Sequence, residues 1–254
     1  MIEALWEKGW KGIGRLLETD VYLAALVEKT LLLPHRSSTH PQLFILGLPR
    51  TGTTLVYQYI VHRLDVSYFT NGVGRYYLAP GLATWVQQRR HEDYHSDFTS
   101  NYGSVVGPMA PHEAGRFWGR FFGFHEYVTP DQVPTRHRRT LRQTVAFVQN
   151  LFGDTLFVNK NVKHLLRIPA LHAIFPDAYF LRVRRNWEDV ALSLLRARHA
   201  NLDDPTTWWS ARPPNHRALE NRPVAEQIAH KIAALDEKMN DDLSRLPSNR
   251  VLSV

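Results

Sequence analysis

Leu43-Phe44-Ile45-Leu46-Gly47-Leu48-Pro49-Arg50-Thr51-Gly52-Thr53-Thr54 decides how this chain folds. A short apolar run enters a loop bounded by Gly47 and Gly52, and Leu55, Val56, Tyr59 and Ile60 continue at helical spacing. Strand, tight loop and helix in that order aim a helix N-terminus and several free backbone N–H groups at one point. The helix dipole and the unpaired donors both favour an anion there. The two glycines stand as in the phosphate-binding G-x-x-x-x-G-K-[ST] loop, but Thr53 occupies the lysine position and Thr54 that of the serine or threonine. Arg50 on the rim, with Thr51, Thr53 and Thr54, can cradle an anion. Without the lysine that reaches the β- and γ-phosphates, the loop is poorly equipped for a triphosphate. A nucleotide with a shorter anionic tail fits it better.

On the N-terminal side of this loop, residues 1–33 read as one or two amphipathic helices, with Leu5, Trp6, Ile13, Leu16, Leu17, Leu23, Leu26 and Val27 at helical spacing. Pro34 to Pro41 is a loop. Strand 43–46 and helix 53–64 flank the phosphate loop, and Val66 to Thr70 offer a second strand. A Gly-, Pro- and His-rich stretch to Pro111 holds one short helix at 82–91. Helical patterns return at 112–123 and 135–152. Strand 155–159, helix 164–174, strand 178–184 and helix 187–199 then alternate, succeeded by a loop over 201–222, a helix over 223–246 and the start of a strand at Arg250. Alternation of this kind predicts an α/β fold with a mostly parallel central sheet flanked by helices, a P-loop-like three-layer sandwich. Its ligands belong at the carboxyl ends of the strands. At 254 residues the chain reads as one domain with an N-terminal helical extension, 1–33.

Pro49-Arg50-Thr51-Gly52-Thr53-Thr54 resembles the 5′-phosphosulfate loop of sulfotransferases that use 3′-phosphoadenosine-5′-phosphosulfate (PAPS). A second signature of that family is an arginine at a strand end with a serine eight residues on, upon the next helix. In Tyr179-Phe-Leu-Arg-Val-Arg-Arg-Asn-Trp-Glu-Asp-Val-Ala-Leu-Ser193, Arg185 and Ser193 fit, with Asn186 next to the arginine and Trp187 replacing the usual proline. Asn186 is also a good N-cap, and Glu188 and Asp189 suit a first turn. A third stretch, Phe157 to Ala178, is similar to a segment of bacterial and carbohydrate-type members, with Lys160 and His164 matching a lysine and a histidine.

The resemblance implies transfer of a sulfuryl group from PAPS to a hydroxyl or amine, with no metal. Arg50, Thr51, Gly52, Thr53, Thr54, Arg185 and Ser193 would bind the nucleotide, and Lys160 would stabilise the departing phosphate oxygen. His164 or Glu113 would serve as base, Glu113 lying where Pro111-His-Glu-Ala-Gly-Arg-Phe-Trp118 opens a helix. The acceptor would be a small molecule, glycan or lipid, its pocket supplied by 71–111 and the Trp208-Trp209 loop. Family members continue past the strand at Arg250 into a basic lid over PAPS, so the chain reads as truncated at its C-terminus.

Composition bounds the alternatives. Lys and Arg number 31 against 24 Asp and Glu, giving +7, which suits an anionic cosubstrate but also nucleic acid. Arg136-His-Arg-Arg-Thr-Leu-Arg142 lies in a helical pattern whose apolar positions, Leu141, Val145 and Val148, form a core face, so its arginines read as a solvated side and not as a nucleic-acid surface. The chain has no cysteine. It carries neither a signal-peptide pattern nor an apolar run long enough for a bilayer, which reads as a cytoplasmic protein without stable membrane insertion. His91-Glu92-Asp93-Tyr94-His95 is a literal H-E-x-x-H, the zinc-protease pattern, but it falls at the end of a predicted helix with no third ligand at the expected spacing. A P-loop nucleotide kinase is the nearer rival, and the missing lysine speaks against it.

Overall fold

The computed structural model describes residues 21–29, 38–90, 93–123 and 127–254. Four strands form a parallel sheet in the order β2-β1-β3-β4: β1 (Gln42–Leu46), β2 (Phe157–Lys160), β3 (Tyr179–Arg182) and β4 (Val251–Ser253). β1 sits in the interior, with Ile45 in register with both Lys160 and Leu181. The helices are α1 (Val21–Val27), α2 (Thr53–Arg63), α3 (Asn71–Arg75), α4 (Pro80–Arg90), α5 (Gly115–Phe122), α6 (Thr135–Leu151), α7 (Ile168–Ile174), α8 (Trp187–Asn201) and α9 (Val224–Ser244).

Period-two alternation divides the sheet's side chains between two layers. Leu43, Ile45, Val158 and Leu181 pack on Tyr57 and Val61 of α2. Phe44, Leu46, Phe157 and Phe180 face the larger core built by α5, α6, α7, α8 and α9. The result is the three-layer α/β sandwich that the strand–helix alternation predicts. Glu28, just past α1, is buried and accepts a hydrogen bond from Leu82 N at 2.9 Å, fastening α1 to the first turn of α4. Burial pushes its carboxyl up to about 7.

Several boundaries differ from the sequence reading. Val66 to Thr70 pairs only at single bridges, Ser67 with Phe157 and Thr70 with Pro111. The segment 71–75 is helical despite Gly72 and Gly74. An added Cβ would meet the Gln87 amide at 2.5 Å at the first and the His112 ring at 2.7 Å at the second, so close packing demands these glycines. The predicted helix 164–174 is a 3-10 turn, Val162–Leu166, and then α7, whose start carries Pro169 where its missing N–H costs nothing. The helical extension over 1–33 falls largely outside the described residues.

Phe180 is fully buried on the central sheet and touches Phe44 with ring centroids 5.8 Å apart. Phe180→Ala is expected to lower the unfolding free energy by about 3–5 kcal/mol. Leu192→Ala, on the exposed side of α8, should change it by less than about 0.5 kcal/mol. Urea denaturation of both variants checks the contrast.

Candidate active site

The loop leaving β1 turns over a short distance because two glycines allow it. At Gly47 an added Cβ would lie 2.6 Å from Thr51 Oγ1 and 3.0 Å from Val183 O, so the loop closes directly upon the end of β3. Gly52 caps α2 with φ 92, in the left-handed region that a side chain resists. Arg50 has φ 74, an unusual conformation for a non-glycine residue. Thr51 Oγ1 donates to Leu48 O at 2.8 Å and so braces the turn from inside. The first N–H groups of α2, from Thr53 onward, have no carbonyl of their own helix to bond, and they face the loop's concave side.

Arg185 comes just after β3, and Asn186 caps α8 by accepting from Glu188 N at 2.7 Å, as the sequence predicts. That cap sets the phase of α8 and brings Ser193 to the loop. Arg50 Nε donates to Ser193 Oγ at 3.0 Å, across 143 residues of sequence, and Arg185 Nη1 donates to Arg50 O at 3.4 Å. Arg185 also contacts Asp189 at 3.5 Å, an exposed pair of little energetic weight. The two sequence motifs therefore meet at the carboxyl edge of the sheet.

A cleft of about 360 Å³ opens there, bounded by Arg50, Thr54, Arg185, Lys160, Glu113 and Trp209 among others. Lys160 ends β2, is buried, and forms an ion pair with Glu113. Glu113 stands before α5, not in its first turn: Ala114 is the N-cap at φ 50, and Asn161 Nδ2 holds Glu113 O at 3.0 Å. Asn161 in turn caps the 3-10 turn by accepting from Lys163 N at 2.9 Å. The Tyr102 ring lies 5.0 Å below the Arg50 guanidinium and 5.7 Å from the Trp209 ring, edge to face.

His164 is elsewhere. It is fully buried between Phe44, 5.3 Å away, and Trp118, 4.9 Å away. Asn159 Oδ1 sits 2.9 Å from His164 Nε2 and also accepts from Trp118 Nε1 at 2.9 Å. Because that oxygen can only accept, Nε2 carries the proton, and Nδ1 has no partner. Burial, with Arg167 and Lys160 nearby, holds the imidazole well below its usual pKa, so it is neutral. His112, half-buried beside Glu113, is likewise lowered by burial, with the Glu113 charge opposing; its Nδ1 accepts from Ala114 N at 2.9 Å.

Tyr102 and Gly103, within the predicted pocket segment 71–111, and Ser210, next to Trp209, line the cleft; sequence reasoning did not single them out, because their loops carry no readable motif. Of the H-E-x-x-H residues, His91 and Glu92 lie outside the described residues. His95 falls beyond α4 in irregular chain, with its ring 5.9 Å from that of His62. Among the described residues no group of three or more His, Asp or Glu is placed to hold a metal. None of the helices among those residues is long and apolar enough to cross a membrane. On α6, Arg136, Arg139 and Arg142 are exposed while Leu141, Val145 and Val148 are buried.

A parallel sheet with a glycine-bounded loop between its interior strand and the next helix defines a P-loop-like α/β protein. The chain belongs to the sulfotransferase family, whose family model matches residues 41–254. Its structure is similar to that of sulfotransferase STF1 from Mycobacterium tuberculosis H37Rv, with TM-score 0.57 and 13% identity, covering 91% of this chain and 66% of that one. It is also similar to sulfotransferase STF9 from Mycobacterium avium, with TM-score 0.54 and 16% identity, covering 92% of this chain and 62% of that one. The chain thus spans somewhat under two thirds of the length of these proteins, and at such identity the likeness is one of fold. No curated protein matches it in sequence.

The neutral, walled-in His164 has a consequence for stability. Unfolding releases it to an ordinary pKa near 6.5, where the unfolded chain takes up a proton that the folded chain refuses. Its contribution is therefore complete above that value and lost as pH falls below it. Compared with His164→Gln, the wild-type unfolding free energy should fall more steeply between pH 6.5 and 5, by up to about 1.4 kcal/mol per pH unit. Parallel slopes in urea titrations across that range would mean that the folded protein already carries the charge.

Proposed function

We propose that the protein transfers the sulfuryl group of PAPS to an acceptor hydroxyl and releases adenosine 3′,5′-bisphosphate. The observation that carries this reading is the meeting of Arg50, Ser193 and Arg185 at the amino end of α2. Two anion-binding elements, one from the loop after β1 and one from the turn after β3, converge where a doubly phosphorylated nucleotide presents two anionic groups. Thr51 to Thr54 and the N–H groups of α2 receive the 5′-phosphosulfate together with Arg50. Arg185 and Ser193 receive the second phosphate. These cations and donors supply the charge compensation that a metal supplies elsewhere, so the reaction needs none.

In the transfer step the acceptor oxygen attacks sulfur in line as the bond to the bridging oxygen of the 5′-phosphate breaks. Charge gathers on that bridging oxygen, and Lys160 stabilises it. The acceptor's proton passes to a base in the cleft, and Glu113, not His164, takes this role. The Glu113 carboxylate borders the cleft beside Lys160, whereas the His164 imidazole is closed off by Phe44 and Trp118 and its Nε2 is committed to Asn159. Most of the catalysis is then positioning and electrostatics.

Calorimetric titration should show adenosine 3′,5′-bisphosphate binding at least tenfold more tightly than ATP, with or without magnesium. Arg185→Ala should weaken the bisphosphate at least tenfold, and tighter binding of ATP would turn the reading towards a kinase. With any acceptor that supports turnover, Glu113→Gln should lower kcat by about 10²–10⁴-fold, and EDTA should leave the rate unchanged.

A further inference from the structure

The acceptor side of the cleft carries a signature of its own, whose meaning rests on the sulfuryl-transfer reading. Tyr102 and Trp209 come from unrelated loops, yet their rings meet at 5.7 Å and 88°. Both rings are anchored. Tyr102, at φ 49, occupies a turn closed by mutual backbone bonds of 2.9 Å between Asn101 and Ser104, and the Arg50 guanidinium covers its ring at 5.0 Å. Trp209 is held through its carbonyl, which accepts from the fully buried Lys231 at 2.5 Å, and Ser210 beside it has φ 67. The next residue of the first turn, Gly103, backs onto the proposed base: an added Cβ would lie 2.9 Å from Glu113 Oε1 and 3.5 Å from Lys160 Nζ. An aromatic wall held in two strained, fastened loops stands directly beside the proton acceptor.

Chemistry narrows the range of molecules the wall can receive. Among the described residues lining the cleft, Arg50, Lys160 and Arg185 are the cations. Two of them are assigned to the donor, and Lys160 faces Glu113, which leaves none for an acidic acceptor. Those same lining residues include no histidine, and Glu113 is their one carboxylate. A carboxylate removes a phenolic proton, with a pKa of about 10, far more readily than that of an alkyl alcohol, which is a much weaker acid and close to water in strength. Aromatic rings also pack edge to face and offset against one another with a gain beyond simple burial.

We propose that the acceptor is a neutral phenol whose ring packs on Tyr102 and Trp209 and whose hydroxyl meets Glu113. The phenolic oxygen forms the new bond to sulfur, and the bond from sulfur to the 5′-phosphate oxygen breaks. The phenolic proton goes to the Glu113 carboxylate, and the departing phosphate keeps the electron pair beside Lys160. Trp209 is then a specificity-determining residue, and Lys231 positions it.

The test uses the full chain with three probes: 2-naphthol, 2-(2-naphthyl)ethanol and methyl β-glucoside. Binding is measured by calorimetry with and without saturating adenosine 3′,5′-bisphosphate, and transfer from radiolabelled PAPS is monitored in parallel. Both naphthyl probes should bind at least tenfold more tightly than the glucoside. 2-Naphthol should be sulfated at least a hundredfold faster than the naphthylethanol. Trp209→Ala should weaken 2-naphthol at least tenfold, Trp209→Phe should restore most of that loss, and both should leave the bisphosphate affinity within twofold. Tighter binding of the glucoside, an unchanged naphthol affinity in Trp209→Ala, or bisphosphate-competent protein that binds 2-naphthol without sulfating it would each overturn the proposal. If the bisphosphate fails to bind, the donor reading falls by itself, and naphthol binding to the free protein, with its dependence on Trp209, still decides whether the wall is a ring site.

Discussion

The contact between Arg50 and Ser193, at 3.0 Å, is the point on which the rest of the site depends. It exists because β1 lies between β2 and β3 in a parallel sheet, so that the loops leaving all three strands emerge at one edge. Parallel order makes the carboxyl ends coincide, and the loop after β1 then reaches the turn after β3. Gly47 lets it do so at contact distance from Val183 O, and the Asn186 cap turns α8 so that its second turn points back. Neither motif would bring these groups together alone. The loop offers N–H groups and one arginine, and the β3–α8 turn offers an arginine and a hydroxyl on an otherwise exposed edge.

The features most legible in the sequence are those confined to a few neighbouring residues. The apolar run at 43–46, the glycines of the loop, and Asn186 ahead of two acids each specify a local backbone state, and each is found within a residue or two of its predicted place. Contacts that close over long stretches were hidden. Glu113 meets Lys160 because the chain before α5 is tied to Asn161, a hydrogen bond between segments with no common pattern. The Gly72 and Gly74 pair reads as a loop, while in the fold both glycines make room for Gln87 and His112 against a short helix.

His164 matches its motif in spacing, yet the fold encloses it. Its spacing from Lys160 arises from strand and 3-10 turn geometry, and that geometry rotates the imidazole inward, away from the lysine's cleft. Trp118 Nε1 and His164 Nε2 share Asn159 Oδ1 within an aromatic shell, while Asn159 Nδ2 donates to His112 O at 3.3 Å. Such a knot fixes the end of β2 against α5, and the end of β2 is where Lys160 sits. The histidine thus packs against the same strand that carries the lysine.

The same division between fastening and reacting groups recurs on the far wall. Arg198 and Lys231 are fully buried cations, and burial of a charge is tolerated where hydrogen bonds offset its cost. Arg198 bonds Gln227 Oε1 at 2.7 Å and lies under the Trp208 ring at 5.1 Å, while Gln227 Nε2 bonds the carbonyls of Glu220 and Arg222. Lys231 takes the carbonyl of Trp209. The adjacent tryptophans therefore serve opposite ends: Trp208 is committed to stacking within the loop's own anchor, and Trp209 is left facing the cleft. A loop of this length without regular structure would ordinarily move. Lys231 holds the carbonyl of Trp209, and Gln227 holds those of Glu220 and Arg222, so displacing the loop breaks several buried hydrogen bonds. The polar network along α9 thus helps this segment present an aromatic surface at the carboxyl edge of the sheet.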